Sequence, residues 1–259
     1  MRGVVTAADS EYFRPLQCLV TSLAGNSPAT SVVVTDLGLT DTQGEWLRRR
    51  GVTVKPKPHD CLLAVPVGHE LWQIWNKPVW MAYSGLDQCL WLDADCVILR
   101  PLDAILDELA ANGSFAVRHT YDTAYPLPND PSLYELFPVL HEIPYPPNNG
   151  VVGLDPDRDA DLLMQWTRMC HEGTVGRARQ LVTWQDEGAL IWALRKRDYG
   201  HRVLDRPGWN RIVGTDDPAS TDMHTWLDTE VAKWHAREPE TIVLHFSQCK
   251  FWLKWVTGL

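Results

Sequence analysis

An α/β fold, with a mostly parallel central sheet flanked by helices, is what the sequence predicts, and three observations predict it. Strand-like and helix-like segments alternate through the first half of the chain, which is the pattern of consecutive βαβ units. The apolar run Gln88 to Leu99 is interrupted by two carboxylates, Asp93 and Asp95, at the carboxyl end of a strand, where open α/β sheets collect their ligands. The length of 259 residues and a hydrophobic content of 45% suffice to bury a sizeable core, read as one domain over 1–259.

The elements follow in order. Gly3 to Ala7 reads as the first strand, Phe13 to Ala24 as a helix, Ser31 to Thr35 as a strand and Thr42 to Arg50 as a helix. Thr42 with Glu45 three residues on fits a capping box at that helix start. Val52 to Lys55 is the next strand, Trp72 to Leu86 the next helix, and Gln88 to Leu92 delivers the chain to the aspartates. Pro101 and Asp103 open a helix toward Ala111, and Phe115 to Arg118 returns as a strand. Between Tyr125 and Pro147 prolines cluster and periodicity disappears, so this is a long loop, a place where binding function concentrates. A strand over Val151 to Leu154, helices over Asp159 to His171 and Asp186 to Arg197, and a strand over Thr241 to His245 complete the pattern.

Composition narrows the function. With 24 Lys and Arg against 33 Asp and Glu, the formal net charge is −9, which argues against a broad nucleic-acid-binding face. The N-terminus enters a strand with no apolar leader, and no segment is long enough to span a membrane. The cytoplasm is the expected location. Six cysteines lack the paired spacing of a zinc site and read as reduced thiols. Of the 13 tryptophans, Trp72, Trp75 and Trp80 fall at roughly helical spacing and read as core, while others suit the C–H face of a sugar.

The aspartate pair carries the chemistry. On an extended backbone residues i and i+2 share a side, so Asp93 and Asp95 would lie together. Like charges repel there, and burial penalises both. A hard divalent cation, Mn²⁺ or Mg²⁺, resolves the conflict and keeps positions for a phosphorylated ligand.

Around the segment Trp91 to Asp95, which contains this pair, stand five others: Val4 to Tyr12, Lys77, Asn148 to Gly153, Trp184 to Leu190 and Val243 to Trp252. In chain order these segments resemble the motifs of GT-A type retaining glycosyltransferases, of the family that contains glycogenin and bacterial lipooligosaccharide galactosyltransferases. The resemblance covers nearly the whole chain. It implies a nucleotide-binding half over 1–100 ending in the D-x-D motif, and a donor-sugar and acceptor half over 101–259 with a C-terminal metal-binding segment.

By that resemblance the backbone of Thr6, Ala7 and Ala8 lines a uridine pocket, Asp9 bonds the uracil edge and Tyr12 stacks on its face. Lys77 meets the donor phosphates, Asp93, Asp95 and His245 hold Mn²⁺ or Mg²⁺, and Ala94 lies against the donor. Asn148 to Gly153 resembles the family's Asn-Ser-Gly-Val turn, in which Asn148 faces the donor sugar and Gly150 allows close approach. Asp186 takes the acidic position beside the transferred sugar, with Glu187 where the family has Gln and Gln185 as the alternative if the register slips by one. Lys250 contacts the diphosphate. Ile191, Gln248 and Phe251 also depart from the family pattern, and the interval to Lys250 is one residue short.

The implied activity is metal-dependent transfer of a hexose, glucose or galactose, from a UDP-sugar to a saccharide, lipid-linked glycan or protein acceptor. The tail Lys250 to Trp255 carries aromatic and basic residues suited to a membrane surface or a lipid-linked acceptor. A sugar-phosphate nucleotidyltransferase is disfavoured because Val4 to Pro15 lacks a Gly-rich basic phosphate loop. A nucleotide-sugar-binding protein without turnover is the other alternative, kept by the departures at Glu187, Gln248 and Phe251. The sequence sets neither oligomeric state nor acceptor.

Overall fold

The structure is a computed structural model, and it describes residues 1–58, 76–118, 147–175, 189–191, 193–194, 202–212 and 223–246. Strands β1 (Arg2–Ala8), β2 (Ser31–Asp36), β3 (Thr53–Pro56) and β4 (Gln88–Leu92) alternate with helices α1 (Phe13–Asn26), α2 (Asp41–Arg48) and α3 (Lys77–Tyr83). Then come β5 (Cys96–Ile98), α4 (Asp103–Asn112), β6 (Phe115–Arg118), β7 (Pro147–Leu154) and α5 (Ala160–Val175). The last third adds β8 (Val203–Leu204), a 3₁₀ turn (Pro207–Trp209), β9 (Arg211–Ile212), α6 (Met223–Arg237) and β10 (Val243–His245).

Seven strands form one sheet in the order β3-β2-β1-β4-β7-β6-β8. Only β7 runs against its neighbours, pairing antiparallel with β4 and β6; the remaining pairs are parallel. This is the expected mostly parallel sheet. Both faces are covered, as a parallel sheet requires. Val4, Val34, Leu90 and Leu92 pack on one side with Leu16, Leu19 and Leu23 of α1 and with Ile105 and Leu109 of α4. Val5, Val33, Cys89 and Trp91 pack on the other side with Trp80 of α3 and with Leu162 and Trp166 of α5. Neighbouring residues on β1 therefore serve opposite layers, the period of two that a doubly covered strand shows. The expectation that Trp80 is core is met; Trp72 and Trp75 lie outside the described residues.

Several expectations need correction. The capping box is formed by Thr40 and Gln43, not Thr42 and Glu45: Thr40 is extended and its hydroxyl accepts from the Gln43 N–H, while the Gln43 side chain accepts from the Thr40 N–H. The same i, i+3 signature occurs twice here, two residues apart, and the copy in front of the helix wins because only there is the backbone still extended. Among the described residues α3 begins at Lys77, and it stops at Tyr83 ahead of Gly85, whose φ of 74° ends the right-handed run. Asn148 and Gly150 belong to strand β7 rather than to a turn. The largest correction concerns the aspartates. Asp93 to Asp95 do not lie on an extended backbone; they form a turn closed by Cys96 N–H donating to Asp93 C=O at 3.0 Å.

That turn separates two sheets. β5, which follows it, joins β10 and β9 in a three-stranded sheet in the order β5-β10-β9, with β10 antiparallel to β5 and parallel to β9. None of β5, β8, β9, the 3₁₀ turn or α6 was expected as a separate element. Strands β5, β8 and β9 are two or three residues long, too short for alternation to register.

Candidate functional site

The aspartate turn sits where three segments converge. β4 brings the chain to Asp93, which donates its N–H to Gly150 C=O on β7 at 3.0 Å. Strand β7 is bulged at this point: its register against β6 jumps from Ala116↔Val152 to Val117↔Asn148, so residues 149–151 leave β6 and stay with the turn. Strand β10 then sets His245 directly opposite Cys96. Gly150 is required by the resulting crowding, since a Cβ there would stand 2.2 Å from Cε1 and 2.6 Å from Nδ1 of His245. The close approach that Gly150 permits is that of the imidazole.

Asp93 is surrounded by donors. Lys77 Nζ, at the start of α3, lies 2.9 Å from its Oδ1 and 3.3 Å from its Oδ2, and also donates to Asn149 Oδ1 at 3.1 Å. Trp91 Nε1 donates to Asp93 Oδ1 at 2.7 Å. Burial works against the Asp93 charge, but the Lys77 ammonium, His245 and the hydrogen bonds from Trp91 and Lys77 outweigh it and hold the carboxyl below its usual range. The Lys77 side chain is itself only 7% exposed, so this is an internal ion pair rather than a surface charge.

Asp95 faces a different set. His245 Nε2 lies 3.3 Å from Asp95 Oδ1 and 3.6 Å from Asp93 Oδ2. At these positions Nε2 makes no aligned hydrogen bond with any described residue, although it is fully buried. Desolvation disfavours the imidazolium, yet Asp95 and then Asp93 pull the His245 pKa above its ordinary value. Burial likewise raises the Cys96 thiol well above the ordinary range, helped by Asp95 and Asp93. Tyr12, whose residue is 43% exposed, has its phenol pushed up to about 12, first by burial and then by Asp95, Asp9 and Asp93.

A chain of amides fixes the other face of the imidazole. The Gly150 N–H donates to Asn148 Oδ1 at 2.9 Å, so that atom is an acceptor. The Asn210 group that meets it at 2.9 Å is therefore Nδ2, which turns Asn210 Oδ1 toward His245 Nδ1 at 3.1 Å. Nδ1 must carry a proton, which leaves Nε2 as the ring position that faces the two carboxylates. Nε2 set among anions calls for positive charge, a second proton in the metal-free ring or a metal ion in its place. Asp95, Cys96 and His245 bring ligand atoms within 4.8 Å of one another, and a carboxylate, an imidazole fixed from behind and a nearby second carboxylate suit a divalent ion.

The structure thus gathers Lys77, Asp93, Asp95, Asn148, Gly150 and His245, drawn from three elements, α3, β7 and β10, and the turn. Thr6 is buried on β1, and its Oγ1 has no hydrogen-bond partner among the described residues. Ala7 is half-buried, and Ala8 is buried at the end of the strand. Asp9 Oδ1 accepts from the N–H groups of Glu11 and Tyr12, both at 3.0 Å, so it shapes the loop that presents Tyr12. Ala94 is buried at the apex of the turn. Gln185, Asp186, Glu187 and Lys250 lie outside the described residues. Sequence reasoning missed Trp91, Cys96, Asn149 and Asn210. Cys96 adjoins the motif and Asn149 repeats Asn148, but nothing local to Asn210 marks it.

No protein-family model matches this chain, and no curated protein matches it in sequence. Solved structures do. The galactosyltransferase LgtC in complex with donor and acceptor sugar analogues aligns over 100% of this chain and 94% of its own, at 17% identity and a TM-score of 0.56. The apo glycosyltransferase GlyE of Streptococcus pneumoniae aligns over 97% of this chain and 56% of its own, at 16% identity and a TM-score of 0.59. Mouse xyloside xylosyltransferase 1 aligns over 96% and 98%, at 13% identity and a TM-score of 0.54. The shared property is the fold, and the α/β GT-A architecture is that of this chain.

Proposed function

We propose that this protein is a retaining glycosyltransferase that moves a hexose, glucose or galactose, from a UDP-sugar to a saccharide, lipid-linked glycan or protein acceptor with the help of a divalent ion. The observation that carries this reading is the buried His245 Nε2, which faces Asp95 and Asp93 and makes no aligned hydrogen bond among the described residues, in a fold shared with glycosyltransferases.

Asp95 and His245 would hold the ion, Mn²⁺ or Mg²⁺, with Asp93 beside them. When bound, the ion offsets negative charge on the departing diphosphate. The remaining steps belong to the chain. The Lys77 ammonium fixes the Asp93 carboxylate and adds positive charge beside the phosphates. Asp9 organises the loop after β1 so that Tyr12, half-exposed at the mouth, can stack on the uracil, with Thr6 to Ala8 lining the pocket and Ala94 against the donor. Asn210 and Asn148 hold the imidazole in one tautomer. The sugar acquires oxocarbenium character as its bond to the diphosphate breaks. Asp186 or Glu187, with Gln185 as neighbour, would stabilise that charge, and Lys250 would reach the diphosphate. One domain over 1–259 carries both substrates in this reading. Among the described residues no helix is long and apolar enough to cross a membrane.

A thermal-shift screen of UDP, GDP and their sugars, each with and without Mn²⁺, tests the reading. Ligand at a hundredfold excess over Kd adds about 2.7 kcal/mol, roughly 5 to 10 °C for a chain of this size. UDP and a UDP-hexose should give a metal-dependent shift, and the same UDP-hexose should be hydrolysed slowly. Stabilisation by GDP-sugars alone would overturn the roles of Asp9 and Tyr12. Binding of UDP with no turnover of any donor would leave a nucleotide-sugar-binding protein.

A further inference from the structure

We propose that Cys96 is itself a ligand of the cation site, so that Asp95, Cys96 and His245 form a mixed oxygen, sulfur and nitrogen centre that prefers a thiophilic divalent ion, Zn²⁺ or Co²⁺, over Mg²⁺. This inference rests on the reading that the site holds a cation, and it changes which cation and by which side chains.

Position comes first. Cys96 stands directly across from His245 in the antiparallel pairing of β5 and β10, and such partners project from the same face of the ribbon. Each of Asp95, Cys96 and His245 places a ligand atom within 4.8 Å of the other two, and one of them carries the buried Nε2 that makes no aligned hydrogen bond among the described residues. Two ligands about 2.0 to 2.1 Å from a tetrahedral ion stand about 3.3 Å apart, and His245 Nε2 lies 3.3 Å from Asp95 Oδ1.

Charge points the same way. Asp93 already has a counter-ion in Lys77, 2.9 Å away, and a further donor in Trp91. Asp95 with a Cys96 thiolate and a neutral His245 balances a doubly charged ion. On ligation the Cys96 S–H bond is replaced by a sulfur–metal bond, and the proton passes to the buffer. Three protein ligands leave one tetrahedral position open, as catalytic zinc sites do, and that position is free to take a phosphate oxygen. Thiolate is a soft ligand that selects zinc-like ions, whereas Mg²⁺ takes oxygen.

Titration of the metal-free protein with Co²⁺, followed by absorption, tests this. The wild-type chain should show visible d–d bands together with a near-ultraviolet thiolate-to-cobalt charge-transfer band. In Cys96→Val the charge-transfer band should vanish, Zn²⁺ affinity should fall by at least about tenfold, and one fewer proton should be released per ion bound. Cys96→Ser is the second variant, should valine disturb folding, and predicts the same loss of the band. Cobalt bound with d–d bands but no charge-transfer band, or a band that survives in both variants, overturns the role of Cys96 while leaving the cation site standing. If the wild-type chain binds neither Co²⁺ nor Mn²⁺, the cation site itself is wrong, and this inference falls with it.

Discussion

The two ends of the aspartate turn differ more than their spacing of two residues suggests. Asp93 belongs to the large sheet: it follows β4, is held by Lys77 from α3, Trp91 from β4 and the Gly150 carbonyl from β7, and its charge is already matched. Asp95 belongs to the small sheet, facing the imidazole of His245 at 3.3 Å and near the Cys96 thiol. One carboxylate is a member of an internal ion pair, and the other is the one proposed above to hold the cation. The lesson is that a D-x-D motif is not two equivalent ligands. What each does depends on which sheet supplies its neighbours.

Lys77→Met should break this comparison most severely. It leaves the half-buried Asp93 without its counter-ion, and since removing one partner of a fully buried pair costs about 3 to 5 kcal/mol, the loss here should be about 2 to 4 kcal/mol, measurable by urea denaturation of the metal-free protein. A loss below about 1 kcal/mol would mean that Asp93 is hydrated, as exposed pairs are. Asp95→Asn comes next and sharpens the contrast, because it should change the metal-free melting point far less than Lys77→Met does. Its effect is on the ligand: the roughly 2.7 kcal/mol of metal-dependent UDP stabilisation at saturating ligand should disappear. An undiminished shift would exclude Asp95 as a ligand.

Asn210→Leu probes the Asp95 side from behind. With the amide gone, His245 is no longer held as the Nδ1–H tautomer, and metal affinity should fall about 10- to 100-fold by isothermal titration. ¹⁵N chemical shifts of the metal-free imidazole should report a mixture of tautomers. Unchanged shifts would show that packing against Gly150 alone orients the ring. The smallest effect belongs to a position far from the turn: Thr40→Ala removes the α2 capping box and should cost about 1 kcal/mol, with metal affinity unchanged. A coupled loss of metal binding would show that the two regions are not independent.

Much of the large sheet is legible from the chain because its signals are local. Val4 and Val5, Val33 and Val34, and Leu90 to Leu92 are apolar runs separated by helical stripes such as Leu16, Leu19 and Leu23, and short-range patterns of this kind suffice to place strands and helices. The same local reading assigned the aspartates to an extended backbone, since nothing between Gln88 and Leu99 announces that the chain leaves one sheet for another. Asn148-Asn-Gly read as a turn for a similar reason. It is a bulged strand because β4 and the aspartate turn retain residues that β6 has released.

Residue chemistry was thus determined by the sequence: two carboxylates at a strand end, a histidine after an apolar strand, and a lysine ahead of them in an α/β frame. Only tertiary structure decided their division of labour. Lys77 precedes Asp93 by 16 residues, Asn210 precedes His245 by 35, and Gly150 lies between the two pairs in the chain. No periodicity spans such gaps, because the forces that join these residues are ion pairing, amide hydrogen bonding and the exclusion of a Cβ, which act at a few ångströms in space and leave no trace in spacing along the chain.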